Sequence, residues 1–290
     1  MAVETDTASG RQATRWVRRL GGRDRWVHLG LIVSILLMSV PVLIALVFST
    51  KGQADLVGVP TLTPGTNAFE NYLEVIVDYN MGRYMLNSLV MALGITAGKL
   101  LISLLAVLAI VYYDFPFKNL AFLAILFTLM LPIPVRIVPL YDLMVTLGWT
   151  NSLWALTIPY LASATTVFIL RQHFLSIPAS LVENAKLDGV GPFEFLLYVL
   201  IPMSKGVLAG VAVIMFIHAW NQYLWPLLVI NDNSLHVAQV GLTIIEDVAD
   251  TGQRPWHLMM AGAILTLLPP LALLVLARKP LLETFGIAHK

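Results

Sequence analysis

Few side chains in this sequence could do chemistry, and several stand where an apolar chain makes them costly. Lys99 ends the run LNSLVMALGITAGK, Arg136 sits inside LMLPIPVRIVPL, and Asn221 and Gln222 follow Trp220 in WNQYLWPLLVIND. An ionisable group at membrane depth costs about 2.5–3.5 kcal/mol on insertion scales, so it must pair inside the protein or face a polar path. The Arg136 guanidinium suits bidentate recognition of an anion. It equally suits snorkelling to headgroups or pairing at a subunit interface. Lys99, beside Gly94 and Gly98, reads as a buried structural lysine that finds carbonyl partners. Asn87, Asn221 and Gln222 are uncharged hydrogen-bonding groups near the ends of apolar runs, and Trp220, Tyr223 and Trp225 surround the last two. Such a cluster can be an aromatic belt with polar neighbours, or an aromatic face with amides that binds a polyol. His218 has no second histidine or carboxylate at ligand spacing, so it reads as packed rather than as a proton relay.

A second constellation is polar and compact. The stretch SLVENAKLDGVGPF, residues 180–193, interrupts the apolar chain with Glu183, Lys186 and Asp188 and then Gly189. Pro178 suits a first helical turn, Ser176 or Ser180 can cap it, and Ser180 with Glu183 fits a capping box. Leu181, Val182 and Ala185 share one helical face, and Glu183 and Lys186 share another. Gly189 is placed to end the helix in the left-handed conformation. Gly191-Pro192 then opens a second helical run toward Pro202. A generic reading is an interfacial connector touching headgroups.

The elements that carry these residues are membrane spans. Of 290 residues, 58% are hydrophobic and 12% charged, with mean hydropathy +0.80; an ordinary soluble domain is about 25% charged. The net charge of +1 gives no sign of nucleic-acid binding. Cysteine is absent, which excludes disulfides and thiolate metal sites. No GxxxxGK[ST] loop is present, so the chain supplies no ATPase of that type. A convergent nucleophile and base at membrane depth is also lacking, which argues against an intramembrane enzyme.

Six apolar runs of spanning length occur, at about residues 29–48, 85–111, 120–140, 153–170, 199–226 (the helix proper beginning near Met203) and 256–277. The first reads as a retained span rather than a cleaved signal. Three prolines between Pro132 and Pro139 are expected to break the third. Residues 68–76, AFENYLEVI, read as a short amphipathic helix at the interface. Arg11, Arg15, Arg18, Arg19, Arg23 and Arg25 precede the first span, Lys118, Arg171 and Lys186 follow on the same side, and Arg278, Lys279 and Lys290 end the chain. The opposite side has only Lys51, Arg83 and Arg254 among many acids. The bias places both termini and residues 171–202 in the cytoplasm. The expected organisation is a tail at 1–27, a membrane domain at 28–280 containing that loop, and a tail at 281–290.

Glu183, Ala185, Asp188 and Gly189, with Pro202 thirteen residues after the glycine, resemble the EAA…G…LP loop of permease subunits of bacterial ATP-binding-cassette importers. The chain from about Trp26 onward is similar to the six-span permeases of carbohydrate importers. Residues 86–99, 129–140, 162–174 and 220–232 most resemble permeases of sn-glycerol-3-phosphate importers. The resemblance implies an all-α membrane protein with six transmembrane helices and the type I importer fold, in a cell membrane. It implies a non-enzymatic subunit, binding no cofactor, that pairs with a second permease. The expected partners are two copies of a cytoplasmic ATP-binding subunit, which bind the ATP, and an extracytoplasmic substrate-binding protein. Glu183, Asn184, Ala185, Asp188, Gly189 and Pro202 would dock the ATPase subunit, with Asn184 where the family commonly has alanine. Arg136, Asn221, Gln222, Trp220 and Asn87 would line the substrate path, Arg136 attracting a phosphate. An importer of a neutral disaccharide has the same architecture, while a stand-alone channel would not need the loop.

Overall fold

Backbone groups in lipid have no partner but the chain itself, so spanning segments close their hydrogen bonds as helices. The computed structural model describes residues 8–57, 61–247 and 254–279, with side chains described from Arg25 onward except those of Ile133, Lys186 and Asp247; among these residues there is no strand. The side chains of the N-terminal arginines before Arg25, that of Lys186, and the tail at 281–290 with Lys290 lie outside the described residues.

Among the described residues, three helices are long and apolar enough to cross a membrane unbroken: Arg25–Phe48 of α1 (Ala8–Phe48), α3 (Met81–Tyr112), and α14 (Trp256–Leu276). The helix of α1 begins well before its apolar part, inside the expected tail. The other three expected spans are bent pairs. The first comprises α4 (Lys118–Phe127), with a 3-10 turn to Met130, and α5 (Ile133–Thr146), at 101° to each other. Leu131 is extended, as a residue before proline must be, and Pro132 follows in an extended conformation, so the proline run breaks the span as its sequence predicts.

The second pair joins α6 (Leu153–Thr157), with a 3-10 turn to Tyr160, to α7 (Ala164–Leu175) at 42°. Ser152 and Ser163 cap the two helices, each hydroxyl accepting a backbone N–H at 3.2 Å. The third pair is bent by 84° at Ser204. It runs from α9 (Pro192–Phe195) through a π-helical turn and α10 (Ile201–Met203) into α11 (Lys205–Trp220). The chain then restarts as α12 (Leu224–Val229). The run at 199–226 thus carries its main helix from Lys205, close to the start expected near Met203, and is interrupted again ahead of Pro226, which removes a helical donor.

Two short helices stand at one end of the bundle, α2 (Ala68–Val77) and α13 (Ala238–Asp247), and α8 (Ala179–Leu187) stands at the other. The α2 helix is amphipathic as expected: Asn71 and Val75 are buried while Phe69, Leu73 and Val77 are exposed. Asn71 holds it by donating to the carbonyls of Ser49 and Lys51, both at 2.8 Å.

The core divides along the bundle. At the α2 end, Met81, Met91, Ile95, Trp220, Trp225 and Ile245 pack together; at the α8 end, Val107, Leu170, Phe174, Phe195 and Leu200 do. The α3 helix runs through both. Gly94 and Gly98 let it approach the fourth span closely: Gly94 faces Thr157, and a Cβ at Gly98 would overlap Leu161. The small-xxx-small spacing is used as helix packing predicts.

Candidate functional site

The hairpin at the α8 end is built by local rules. The α7 helix stops at Leu175, where the Ser176 hydroxyl donates back to the His173 carbonyl at 2.6 Å. Pro178 precedes α8, and its carbonyl accepts the Leu181 N–H at 3.1 Å. Ser180 therefore lies inside the helix rather than at its cap, and the capping box expected from Ser180 and Glu183 does not form. Half of such a box stands one helix later, where the Glu194 carboxylate accepts the Gly191 N–H at 3.0 Å in front of Pro192; glycine has no side chain to return the bond.

The end of α8 is as expected. Gly189 has φ +69°, and the Val190 N–H reaches back to the Ala185 carbonyl at 3.0 Å. This is a Schellman-type stop, in which a left-handed residue turns the chain off the helix axis. Val182, Ala185 and Val190 pack on the protein's own core. The outward face carries Glu183, Asn184, Asp188 and Leu187, the last 85% exposed. The expected apolar face is thus split, with Val182 and Ala185 turned inward and Leu181 left outside, where Leu187 also stands. Pro202 is exposed just before the bend at Ser204.

Polar ties make the hairpin continuous with the spans. His173 and the buried Ser204 share a hydrogen bond at 3.0 Å, and the Tyr112 hydroxyl donates to the Phe174 carbonyl at 3.0 Å. The Tyr112 ring meets Phe195 edge-on at 5.3 Å. The Arg171 guanidinium lies 4.2 Å from the centre of the Phe122 ring, joining α7 to α4. None of these ties was legible as a motif, because each links residues from different elements.

The residues expected in a path fall into two groups. Arg136 is exposed on α5, and Asn221 is exposed at the end of α11, where its side-chain oxygen accepts from Gln239 at 3.2 Å. Gln222 follows, half-buried, with neither end of its amide hydrogen-bonded. Trp220 and Asn87 are instead part of the framework. Trp220 is 1% exposed, donates to the Thr266 carbonyl at 3.1 Å and stacks on Phe216. Asn87 donates to the carbonyls of Ser234 and His236 at 3.0 and 2.9 Å.

These bonds fix the segment after α12. Asn151, in the left-handed region at φ 56°, accepts the N–H groups of Asn231 and Asp232 with one side-chain oxygen, and the buried Ser88 hydroxyl accepts the Ala238 N–H at 2.8 Å. Asp232 accepts the Ser234 N–H at 2.8 Å, a bond that holds its carboxyl below the ordinary value. Burial pushes the His236 imidazole down, against the opposing pull of Asp232. Asn151 and Ser88 escaped the sequence reading, although an asparagine after Gly-Trp-Thr is the kind of residue that adopts a left-handed turn.

Residues 101–279 match the family model described as binding-protein-dependent transport system inner membrane component. Among curated proteins, the sn-glycerol-3-phosphate transport system permease protein of Rhizobium meliloti (strain 1021) is 41% identical over 260 residues, 87% of this chain and 92% of the relative. The protein of the same description from Pectobacterium atrosepticum is 40% identical over 265 residues, 89% and 94% of the two chains. Among solved structures, a chain of a bacterial ABC transporter involved in the import of the acidic polysaccharide alginate superposes with TM-score 0.76 at 19% identity. That match covers 96% of this chain and 99% of the other. The architecture is therefore that of a type I importer permease, and the chain, a non-enzymatic membrane subunit, belongs to the family of binding-protein-dependent transport system inner membrane components.

Proposed function

We propose that this protein is one of two permease subunits of an ATP-driven importer of sn-glycerol 3-phosphate and related glycerophosphodiesters. The observation that carries the reading is identity of about two residues in five with glycerol-3-phosphate permeases across nearly the whole chain. Arg136, exposed beside the proline break, gives the path a group that pairs with phosphate. Asn221 and Gln222 offer amides to the glycerol hydroxyls, and Trp220 and Asn87 hold the segment that presents them.

The lysine and arginine bias puts both termini and the α8 hairpin in the cytoplasm of a cell-membrane protein. There Glu183, Asn184, Ala185, Asp188 and Gly189 meet one of two ATP-binding subunits, with Pro202 fixing the return of the chain into the bend. ATP binds and is hydrolysed in those subunits, and this chain binds no cofactor. When they close, α8 is displaced. Its ties through Val182, His173–Ser204 and Tyr112–Phe174 carry the displacement into α7 and α11, so the path is exposed to one side or the other. Transport follows because cargo and ATP each favour one of two arrangements. A soluble binding protein delivers the cargo at the α2 end.

The test is uptake by proteoliposomes containing the full complex with its binding protein. ATP-dependent accumulation of radiolabelled sn-glycerol 3-phosphate is expected, with no stimulation of ATP hydrolysis by maltose. Stimulation by a neutral disaccharide and none by glycerol 3-phosphate would overturn the cargo and keep the architecture. Uptake at full rate by this chain alone, without ATP, would overturn both.

A further inference from the structure

Lys99 differs from what its sequence context suggests. Only 6% of the residue is exposed, yet its ammonium makes no hydrogen bond or ion pair with a described residue, and the carbonyl partners expected for it are not there. The ammonium is not wholly sealed from the surface. On the same face of α3, about one turn to either side, Thr96 and Ser103 are buried with hydroxyls that also lack a partner. A buried, unpaired charge is among the costliest arrangements a protein can hold, and a methionine would fill the volume without that cost. The ammonium is therefore met by water that reaches it or by a group that the described residues do not supply.

Its place in the bundle says what. Several segments converge on the break at residues 161–163, where the fourth span bends. Leu161 lies on Gly98, the neighbour of Lys99. The Ser163 hydroxyl points to the Met215 sulfur at 3.9 Å. One turn farther along α11, His218 is exposed and within electrostatic reach of the Lys99 ammonium. From α5, Arg136 is within electrostatic reach of Tyr160, at the other edge of the break. Among the described residues no carboxylate pairs with either cation. Lys99 is thus one residue from the helix contact at this stretch of irregular backbone, and irregular backbone within a span is tolerated where it is buried in protein or lines a cavity.

The geometry points to Lys99 as an anion-recognition residue of the translocation path: buried on α3 beside the unpartnered Thr96 and Ser103 hydroxyls, it receives the phosphate group of the cargo partway along the path, in addition to Arg136 on α5. This rests on the phosphate cargo proposed above. An ammonium supplies a point charge and an arginine a planar fork, and a phosphate has oxygens enough for both.

The chain has no cysteine, so Lys99→Cys places its only thiol at the site. The variant is assembled with cysteine-free partner subunits and binding protein, and uptake of sn-glycerol 3-phosphate is measured in proteoliposomes. Loss of one charged hydrogen bond is expected to lower uptake about tenfold or more in a complex that still assembles. Aminoethyl methanethiosulfonate, which returns an ammonium to the position, should restore most of the rate, and the neutral methyl reagent should not. Glycerol 3-phosphate, supplied with binding protein and a non-hydrolysable ATP analogue, should slow the labelling. Uptake at the wild-type rate, equal rescue by the neutral reagent, or labelling that substrate leaves unchanged would overturn the assignment. Failure of the wild-type complex to take up glycerol 3-phosphate would instead bring down the cargo reading itself.

Discussion

Gly189 shows how one residue type can be required by conformation alone. At φ +69° with open space where a Cβ would stand, it excludes other residues by backbone strain and by nothing else. A non-glycine residue there costs about 1–2 kcal/mol, and a β-branched one more. Gly189→Val is expected to unwind the last turn of α8, leave membrane insertion intact and sharply reduce substrate-stimulated ATP hydrolysis. Gly189→Asn, which tolerates this conformation, should keep most of it. Measuring stimulated hydrolysis of the two variants in one reconstitution checks the claim, and equal activities would refute it. This position was legible in the sequence because a glycine ending an amphipathic stretch has a single physical reading. Lys99 was not, since whether a buried lysine finds carbonyls depends on which helix faces it, and no spacing within α3 encodes that.

At the scale of elements, the six apolar runs correspond among the described residues to three unbroken helices and three bent pairs, and two of the interruptions, the proline run and the helix start near Met203, were marked in the sequence. The run Pro132–Pro139 announces itself through missing donors. The bend at residues 161–163 follows Pro159, which removes a helical donor from the turn at 158–160; Leu161 then lies on Gly98 and Ser163 caps the new helix. The segment after α12 is a similar case, held by Asn87, Asn151 and Ser88 from three distant places. Asn87→Ala removes both donors to the Ser234 and His236 carbonyls. It should destabilise that segment locally by about 1–3 kcal/mol, seen as faster amide exchange over residues 233–238, while α3 itself stays protected. A pH effect belongs to the same segment. The Asp232 carboxyl is held below its ordinary 3.8 by the Ser234 N–H. The bond is therefore fully present above that value, and its contribution is lost as the pH falls through the lower folded one. Exchange at Ser234 should be flat with respect to Asp232 near neutrality and accelerate beyond the intrinsic acid dependence below the carboxylate range. In Asp232→Asn that added acid sensitivity should vanish.

For the whole molecule, the division of the core decides how force is passed. The α8-end cluster joins α3, α4, α7 and the α9–α11 bend, whereas the α2-end cluster joins α2, α3, α12, α13 and α14. Only α3 and α11 contribute strongly to both, with Val107 and Val211 in one and Met91 and Trp220 in the other. A push on α8 therefore reaches the α2 end through helices that Lys99 and His218 occupy at mid-depth. If α8 is the point of input, its outward face matters for coupling but not for folding. Leu187, 85% exposed and off the core, tests this more cleanly than Val182 or Ala185, whose inward packing would confound the result. Leu187→Asp should change stability by no more than about 0.5 kcal/mol, as surface substitutions do. It should nevertheless weaken retention of the ATP-binding subunit on the purified permease pair and reduce uptake in proportion. Thermal unfolding of the permease pair and co-purification of the ATPase subunit are the two measurements. A variant that keeps its ATPase subunit and transports normally would show that α8 docks through another face, and the route of force drawn here would have to start elsewhere.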